Sequence, residues 1–278
     1  MNSTLTATPA FLRSTPRLAY SRTGEGPPVI FLHGIGGNRH NWQQQLAATA
    51  ASFSGIAWDA RGYGDSDDYA DPLEFSFFAD DLSRLLDELQ VERAHLVGLS
   101  MGARILMDFY PRFPERAATL TLCDCFYGFE RALSPEKQRE YIELRERPLR
   151  EGKTFADLAP ALIESLVGPN CPEAVRQELR ASILALRVDS YLKTLRASVS
   201  FDSQTALRHF AVPVQLIFGA EDRLTPPTIG EEMLALLPDA ALAVLPDAGH
   251  LSNLEQPVAF NEVLMGFLAA HATRATFF

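Results

Sequence analysis

His95-Leu96-Val97-Gly98-Leu99-Ser100-Met101-Gly102 is the stretch that decides how this chain is read. It opens as an apolar run suited to a buried strand, and Ala103 to Phe109 continues it as a helical pattern. The G-x-S-x-G pattern therefore stands at a strand-to-helix turn, the context that gives the motif chemical meaning. The reason is steric. So tight a turn puts the serine in strained dihedrals, and glycines at 98 and 102 keep side chains out of the close approach of strand and helix. The Ser100 hydroxyl then projects above the sheet. The Met101 N–H, at the helix start, can donate to an oxyanion.

Outward from this turn, apolar segments alternate with helical patterns. Val29 to Leu32, Gly55 to Trp58 and Ala94 to Val97 read as buried strands, each closed by Gly or Asp within two residues. Leu82, Leu85, Leu86 and Leu89 recur at helical spacing before the third of them. Ala118 to Leu122, Pro213 to Phe218 and Ala241 to Leu245 supply further strands. Strands alternating with helices predict a parallel sheet covered on both faces. The stretch from Gly128 to Arg208 breaks the rhythm. Leu, Ile and Val sit there at helical spacing among Arg and Glu, with Pro135, Pro148, Pro160 and Pro172 as breaks. Its 13 Lys and Arg balance 12 Asp and Glu, and it holds all three lysines. The expected organisation is a core of residues 1–127 and 208–278 with a helical cap inserted at 128–207.

A serine hydroxyl is a weak nucleophile alone, so a base and a group to orient that base must be found. Two later strand ends provide them. Gly219-Ala220-Glu221-Asp222-Arg223 follows one, and Pro246-Asp247-Ala248-Gly249-His250 follows the next. Loops at the carboxyl ends of parallel strands are where such sheets place their chemistry. His250 is placed to accept the Ser100 proton, and Asp222 to hold the imidazole in the useful tautomer. Asp124, in Cys123-Asp124-Cys125, also follows a strand and is the alternative acid. Glu221 and Asp247 read as solvated neighbours. The first strand runs into Leu32-His33-Gly34-Ile35-Gly36-Gly37-Asn38, whose glycines let backbone amides turn toward a substrate oxygen. Ile35 N–H is the second oxyanion candidate, and His33 reads as a structural hydrogen-bonding residue. A phosphate-binding reading of this loop fails, because neither G-x-G-x-x-G nor G-x-x-x-x-G-K-[ST] is present.

With these residues in hand the chain resembles the α/β-hydrolase superfamily. The stretches that carry the resemblance are His33 to Gly37, Asp59-Ala60-Arg61-Gly62-Tyr63-Gly64-Asp65-Ser66, Gly98 to Gly102, Gly219 to Asp222 and Gly249-His250. Ala248-Gly249-His250-Leu251-Ser252-Asn253-Leu254-Glu255-Gln256-Pro257 is similar to the 3-oxoadipate enol-lactonases and related carboxylesterases. The resemblance implies an α/β-hydrolase fold: a mostly parallel eight-stranded sheet with helices on both faces, an inserted helical cap and no cofactor. It implies a serine hydrolase acting on an ester, enol-lactone or similar bond of a small metabolite. Its triad falls on Ser100, Asp222 and His250, and its oxyanion donors on Ile35 and Met101. Ser100 stands where epoxide hydrolases and haloalkane dehalogenases carry Asp. Leu251 stands where C–C hydrolases usually carry Trp. Ser100 to Arg104 is shared with amide-cleaving deformylases, whose acid can follow the earlier strand, as Asp124 does. A C–C or amide hydrolase, and a small-molecule receptor with slow turnover, are the alternatives.

Composition bounds the rest. A net charge of −10 leaves no electrostatic footprint for nucleic acid. No run of ~18 apolar residues suggests a membrane span. Met1 to Thr15 lacks a continuous apolar stretch and reads as a frayed arm, not a secretory signal. Cys123, Cys125 and Cys171 are odd in number and poorly spaced, which fits reduced thiols in the cytoplasm. No His and Cys spacing suits a metal. Arg145, Arg147, Arg150 and Arg187 are candidates for a substrate carboxylate or for solvated helix faces. Phe126, Tyr127 and Phe129 stand where core hands over to cap, to line the pocket or simply to pack. Arg61 and Arg104 read as structural. A homodimer is the default oligomer.

Overall fold

The computed structural model describes residues 9–128, 134–201 and 207–278. Eight strands lie in one sheet: β1 (Ala10–Phe11), β2 (Ala19–Thr23), β3 (Pro28–Leu32), β4 (Ser54–Trp58), β5 (Val91–Leu99), β6 (Ala117–Cys123), β7 (Val214–Gly219) and β8 (Ala240–Leu245). Their spatial order is β1-β2-β4-β3-β5-β6-β7-β8. β1 and β2 pair antiparallel at one edge, and β2 meets β4 antiparallel. Every pairing from β4 across to β8 is parallel. A short β9 (Thr276–Phe277) pairs with the start of β5. This is the mostly parallel sheet with helices on both faces that the sequence predicts.

The central strands are continuous apolar runs because both faces are covered. Ile30, Leu32, Leu96, Leu120, Leu122 and Leu216 point to one face, against α2 (Ser76–Glu88) and α3 (Met101–Arg112). Val29, Phe31, Val97, Leu99, Cys123 and Ile217 point to the other. There they meet α1 (Gln43–Thr49) and the C-terminal helix. This is the strand period of two, with each buried branched or aromatic side chain contributing roughly 1.5–3 kcal/mol. Six strands expected from the sequence appear within a few residues of their expected bounds. The arm expected to fray is ordered at Ala10–Phe11. Residues 1–8 lie outside the described residues.

Four described helices lie between β6 and β7: α4 (Pro135–Arg150), α5 (Phe155–Leu166), α6 (Glu173–Leu184) and α7 (Val188–Val199). No strand interrupts them among the described residues. Pro135 opens α4 and Pro172 caps α6, as breaks should. Pro148 and Pro160 instead lie inside α4 and α5. Pro160 is the sixth residue of α5 and removes one intrahelical donor, yet the helix runs on to Leu166. Phe129, expected where the core hands over to the insertion, lies outside the described residues. Beyond β7 follow α8 (Pro227–Leu234), the single turn α9 (Ser252–Glu255) and α10 (Pro257–Ala270). Among the described residues no helix is long and apolar enough to cross a membrane.

Candidate active site

Because β3 and β5 to β8 run parallel, the loops leaving their carboxyl ends gather on one edge of the sheet. Ser100 lies between β5 and α3 at φ 53° and ψ −110°. The turn is held by Ser100 N–H donating to the Cys123 carbonyl at 2.9 Å. A Cβ on Gly98 would lie 2.4 Å from the Gly102 carbonyl carbon, and one on Gly102 would lie 2.2 Å from the Leu32 oxygen. Neither position accepts a side chain, which is the physical content of the two glycines in the motif.

His250 follows β8 and is buried, with Nδ1 2.8 Å from Asp222 Oδ2. That contact puts the Nδ1 proton toward the carboxylate and leaves Nε2 as the basic nitrogen. Asp222 Oδ1 accepts from the Leu224 and Thr225 amides at 2.8 and 3.0 Å, and Thr225 Oγ1 donates to Oδ2 at 2.6 Å. Burial alone would raise the Asp222 pKa, but the facing imidazole and these donors bring it below the ordinary carboxylate value. Burial likewise opposes charge on His250, and the Asp222 carboxylate outweighs it, so the imidazole sits above its ordinary value. Ser100 and His250 border one cavity of about 450 Å³. Among the described residues no hydrogen bond joins their side chains.

Asp124 makes different contacts. It is fully buried at φ 44° and accepts from Gly219 N–H at 2.8 Å, Ser252 N–H at 3.2 Å and Ser252 Oγ at 2.5 Å. It thus joins the end of β7 to the turn after His250. Burial and the nearby Asp222 charge push its pKa up to about 7. Glu221 and Asp247 are exposed.

Ile35 and Met101 border the same cavity. Ile35 N–H makes no hydrogen bond among the described residues. Met101 N–H is in the first turn of α3, where no intrahelical acceptor precedes it. His33 Nδ1 contacts the Gly34 carbonyl at 2.8 Å, and Nε2 accepts from Ala60 N–H at 3.1 Å. Burial holds this histidine below its ordinary pKa, so it joins two loops as a neutral ring.

Residues of the helices between β6 and β7 also border the cavity. Arg104, Tyr141, Arg145, Tyr191 and Phe126 border it, whereas Tyr127 turns away and donates to Glu232 Oε2 at 2.7 Å. Of the four insertion arginines named from the sequence, only Arg145 borders the cavity. Arg147 and Arg150 face glutamates, and Arg187 donates to the Ser66 and Gly64 carbonyls, each at 3.0 Å. Arg61 grips Asp81 with two bonds of 2.6 Å.

Two groups escape sequence reasoning. Glu255 is buried, and its carboxylate accepts from Gly168 N–H at 2.7 Å, Gly249 N–H at 3.0 Å and Leu251 N–H at 3.3 Å. With His250 N–H donating to Leu166 O at 2.7 Å, it ties the end of α5 to the His250 loop. Arg39 is buried between Asp59 and Asp65 and fixes the loop after β4. Among the described residues, no group of three or more His, Cys, Asp or Glu is arranged to hold a metal ion.

Comparison with known proteins agrees with this architecture. Residues 29–263 match the model of the Alpha/beta hydrolase family. A Mycobacterium tuberculosis protein with the provisional name non-heme bromoperoxidase BpoC is 30% identical over 91% of this chain and 98% of its own length. The 3-oxoadipate enol-lactonase 2 of Acinetobacter baylyi is 28% identical over 89% of this chain and 91% of its own. Among solved structures, a thermophilic esterase from Thermogutta terrifontis, in a malate-bound form, superposes with a TM-score of 0.84 at 29% identity. That match covers 95% of this chain and 100% of the esterase.

Proposed function

The chain belongs to the alpha/beta hydrolase family, and from that premise we propose that it is a serine hydrolase of a small ester or enol-lactone. The observation that carries this reading is the 2.8 Å contact of His250 with Asp222 beside the cavity that Ser100 also borders. Ser100 attacks the substrate carbonyl while His250 takes its proton through Nε2. Asp222 keeps the ring oriented and stabilises the imidazolium. The Ile35 and Met101 amides receive the tetrahedral oxyanion. His250 then protonates the leaving oxygen, and water hydrolyses the acyl-enzyme with His250 again as base. The residues needed for this sequence require no cofactor.

The insertion, residues 128–207, acts in this proposal as a lid on a core of residues 1–127 and 208–278. Its helices exclude water and shape the substrate side of the cavity. The esterase and enol-lactonase relatives support the bond class.

The test is hydrolysis of 4-nitrophenyl butyrate by the wild type beside Ser100→Ala and His250→Ala. Each substitution is expected to lower kcat by at least ~10³-fold. Near wild-type turnover in either variant overturns the mechanism. Wild-type turnover of only a few per hour favours ligand sensing over catalysis.

A further inference from the structure

The cavity wall runs against the charge of the molecule. The chain carries 35 Asp and Glu against 25 Lys and Arg. Yet the described residues bordering the cavity include Arg104, Arg145 and Arg223, and no Asp or Glu.

The three arginines are engaged differently. Arg104 Nη2 donates to the carbonyls of Ser198 and Phe201 at 2.7 and 2.6 Å, joining α3 to the insertion. Arg223 Nη2 donates to the Glu164 and Val167 carbonyls at 2.5 and 3.4 Å, joining α5 to the Asp222 loop. Arg145 is half-buried and makes one hydrogen bond among the described residues, from Nη1 to the carbonyl of Tyr141 at 3.1 Å. Its guanidinium lies over the Tyr141 ring, 3.5 Å from the centroid. The rest of α4 sharpens the contrast. Arg139 pairs with Glu136, Arg147 with Glu151 and Arg150 with Glu143. Among the described residues, the α4 arginine with no carboxylate partner is the one that borders the cavity.

A guanidinium offers five N–H donors in a planar fork, so one bond to Tyr141 leaves four for a ligand. Stacking on the ring orients the fork in advance, and carboxylate is the group whose geometry matches it. A solvated helix face gives no reason for acids to be absent from the wall.

We infer that the substrate carries a free carboxylate remote from its scissile carbonyl, and that Arg145 is the residue that selects it. This rests on the hydrolase reading above and names its substrate class. Ser100 and His250 do the chemistry, and Arg145 fixes which end of the substrate faces them.

The experiment compares 4-nitrophenyl monoesters of linear dicarboxylic acids, four to seven carbons long, with fatty-acyl esters of the same lengths. A second series places the carboxylate on the alcohol side of a methylene-spaced ester. At least one carboxylate ester is expected to exceed its neutral partner in kcat/KM. Arg145→Gln should remove roughly 10- to 100-fold of that value, mainly through KM, which is the worth of a charge-assisted hydrogen bond. Its rate on the neutral partner should stay within about twofold, which also shows that the variant folds. Arg145→Lys should recover part of the loss, since it restores charge without the fork. Preference for neutral esters in every pair, or equal losses on both members, overturns the inference and leaves the hydrolase reading standing. Turnover of neither series overturns both.

Discussion

Replacing Asp222 by Asn keeps the shape of the side chain that faces His250 and removes its charge. The amide can no longer stabilise an imidazolium, and it invites the wrong tautomer. Asp222→Asn is therefore expected to lower kcat by about 10³- to 10⁴-fold. Asp124→Asn acts elsewhere. It disturbs three hydrogen bonds that join β7 to the turn after His250, so stability should fall by ~1–3 kcal/mol with the smaller loss of kcat. Parallel kinetics and urea unfolding of both variants separate the roles, and reversal of the order would make Asp124 the acid. The pH profile follows from the same contacts. The base must be neutral to act, and His250 titrates above its ordinary 6.5, so the acid limb of kcat/KM should have its midpoint above 6.5. Asp222→Asn should move that limb down, because burial then acts with less opposition. The signs for stability are opposite for the two partners. The raised pKa of His250 favours the folded state below the ordinary histidine value, and that contribution is lost as pH rises through the raised value. The lowered pKa of Asp222 favours the folded state above the ordinary carboxylate value and is lost as pH falls through the depressed one. Ser100, Asp222 and His250 could be picked from the sequence because each follows an apolar strand in a short local motif. Glu255 and Arg39 could not. Their partners lie as far away as Gly168 and Asp65, and nothing in the residues beside them marks those pairings.

The β5–α3 turn can be tested as an element. Gly98→Ala and Gly102→Ala put a Cβ into backbone atoms that cannot yield, and each should cost at least ~2 kcal/mol in thermal or urea unfolding. Gly36 makes the useful contrast. A Cβ there meets nothing within 4 Å, but its φ is +87°, so Gly36→Ala should cost only about 1 kcal/mol of backbone strain. Equal losses at the three positions would mean that close packing does not define the elbow. The central strands were legible for a related reason: burial on both faces leaves continuous apolar runs that no solvent-exposed segment imitates. β1, β2 and β9 were not. β1 and β9 are two residues each, and β2 is Ala-Tyr-Ser-Arg-Thr, flanked by β1 and β4, with only Ala19 and Ser21 buried. The insertion showed its helices through periodicity, yet the prolines misled at Pro148 and Pro160. Each of these prolines removes one intrahelical donor, but α4 and α5 both continue past it, so it reads as a break without making one.

Across the whole molecule, charge is divided between surface and cavity. The net −10 repels an anionic substrate at long range, while the arginines of the wall attract it at contact. Salt distinguishes the two, because the Debye length falls from about 30 Å at 0.01 M to about 8 Å at 0.15 M ionic strength. The diffuse repulsion acts over distances that this change screens. The contact with Arg145 acts within a hydrogen bond and is partly shielded from solvent, so it is weakened far less. For a carboxylate-bearing ester, kcat/KM should therefore rise about two- to fivefold between these ionic strengths. A neutral ester of the same length should show no such trend. Arg145→Gln should retain the rise while starting from a lower value, since it removes the contact and leaves the surface field almost unchanged. A fall in kcat/KM with salt for the wild type would mean that local attraction governs the approach as well. In that case the three arginines of the wall, rather than the acidic surface, set the field that an incoming substrate meets.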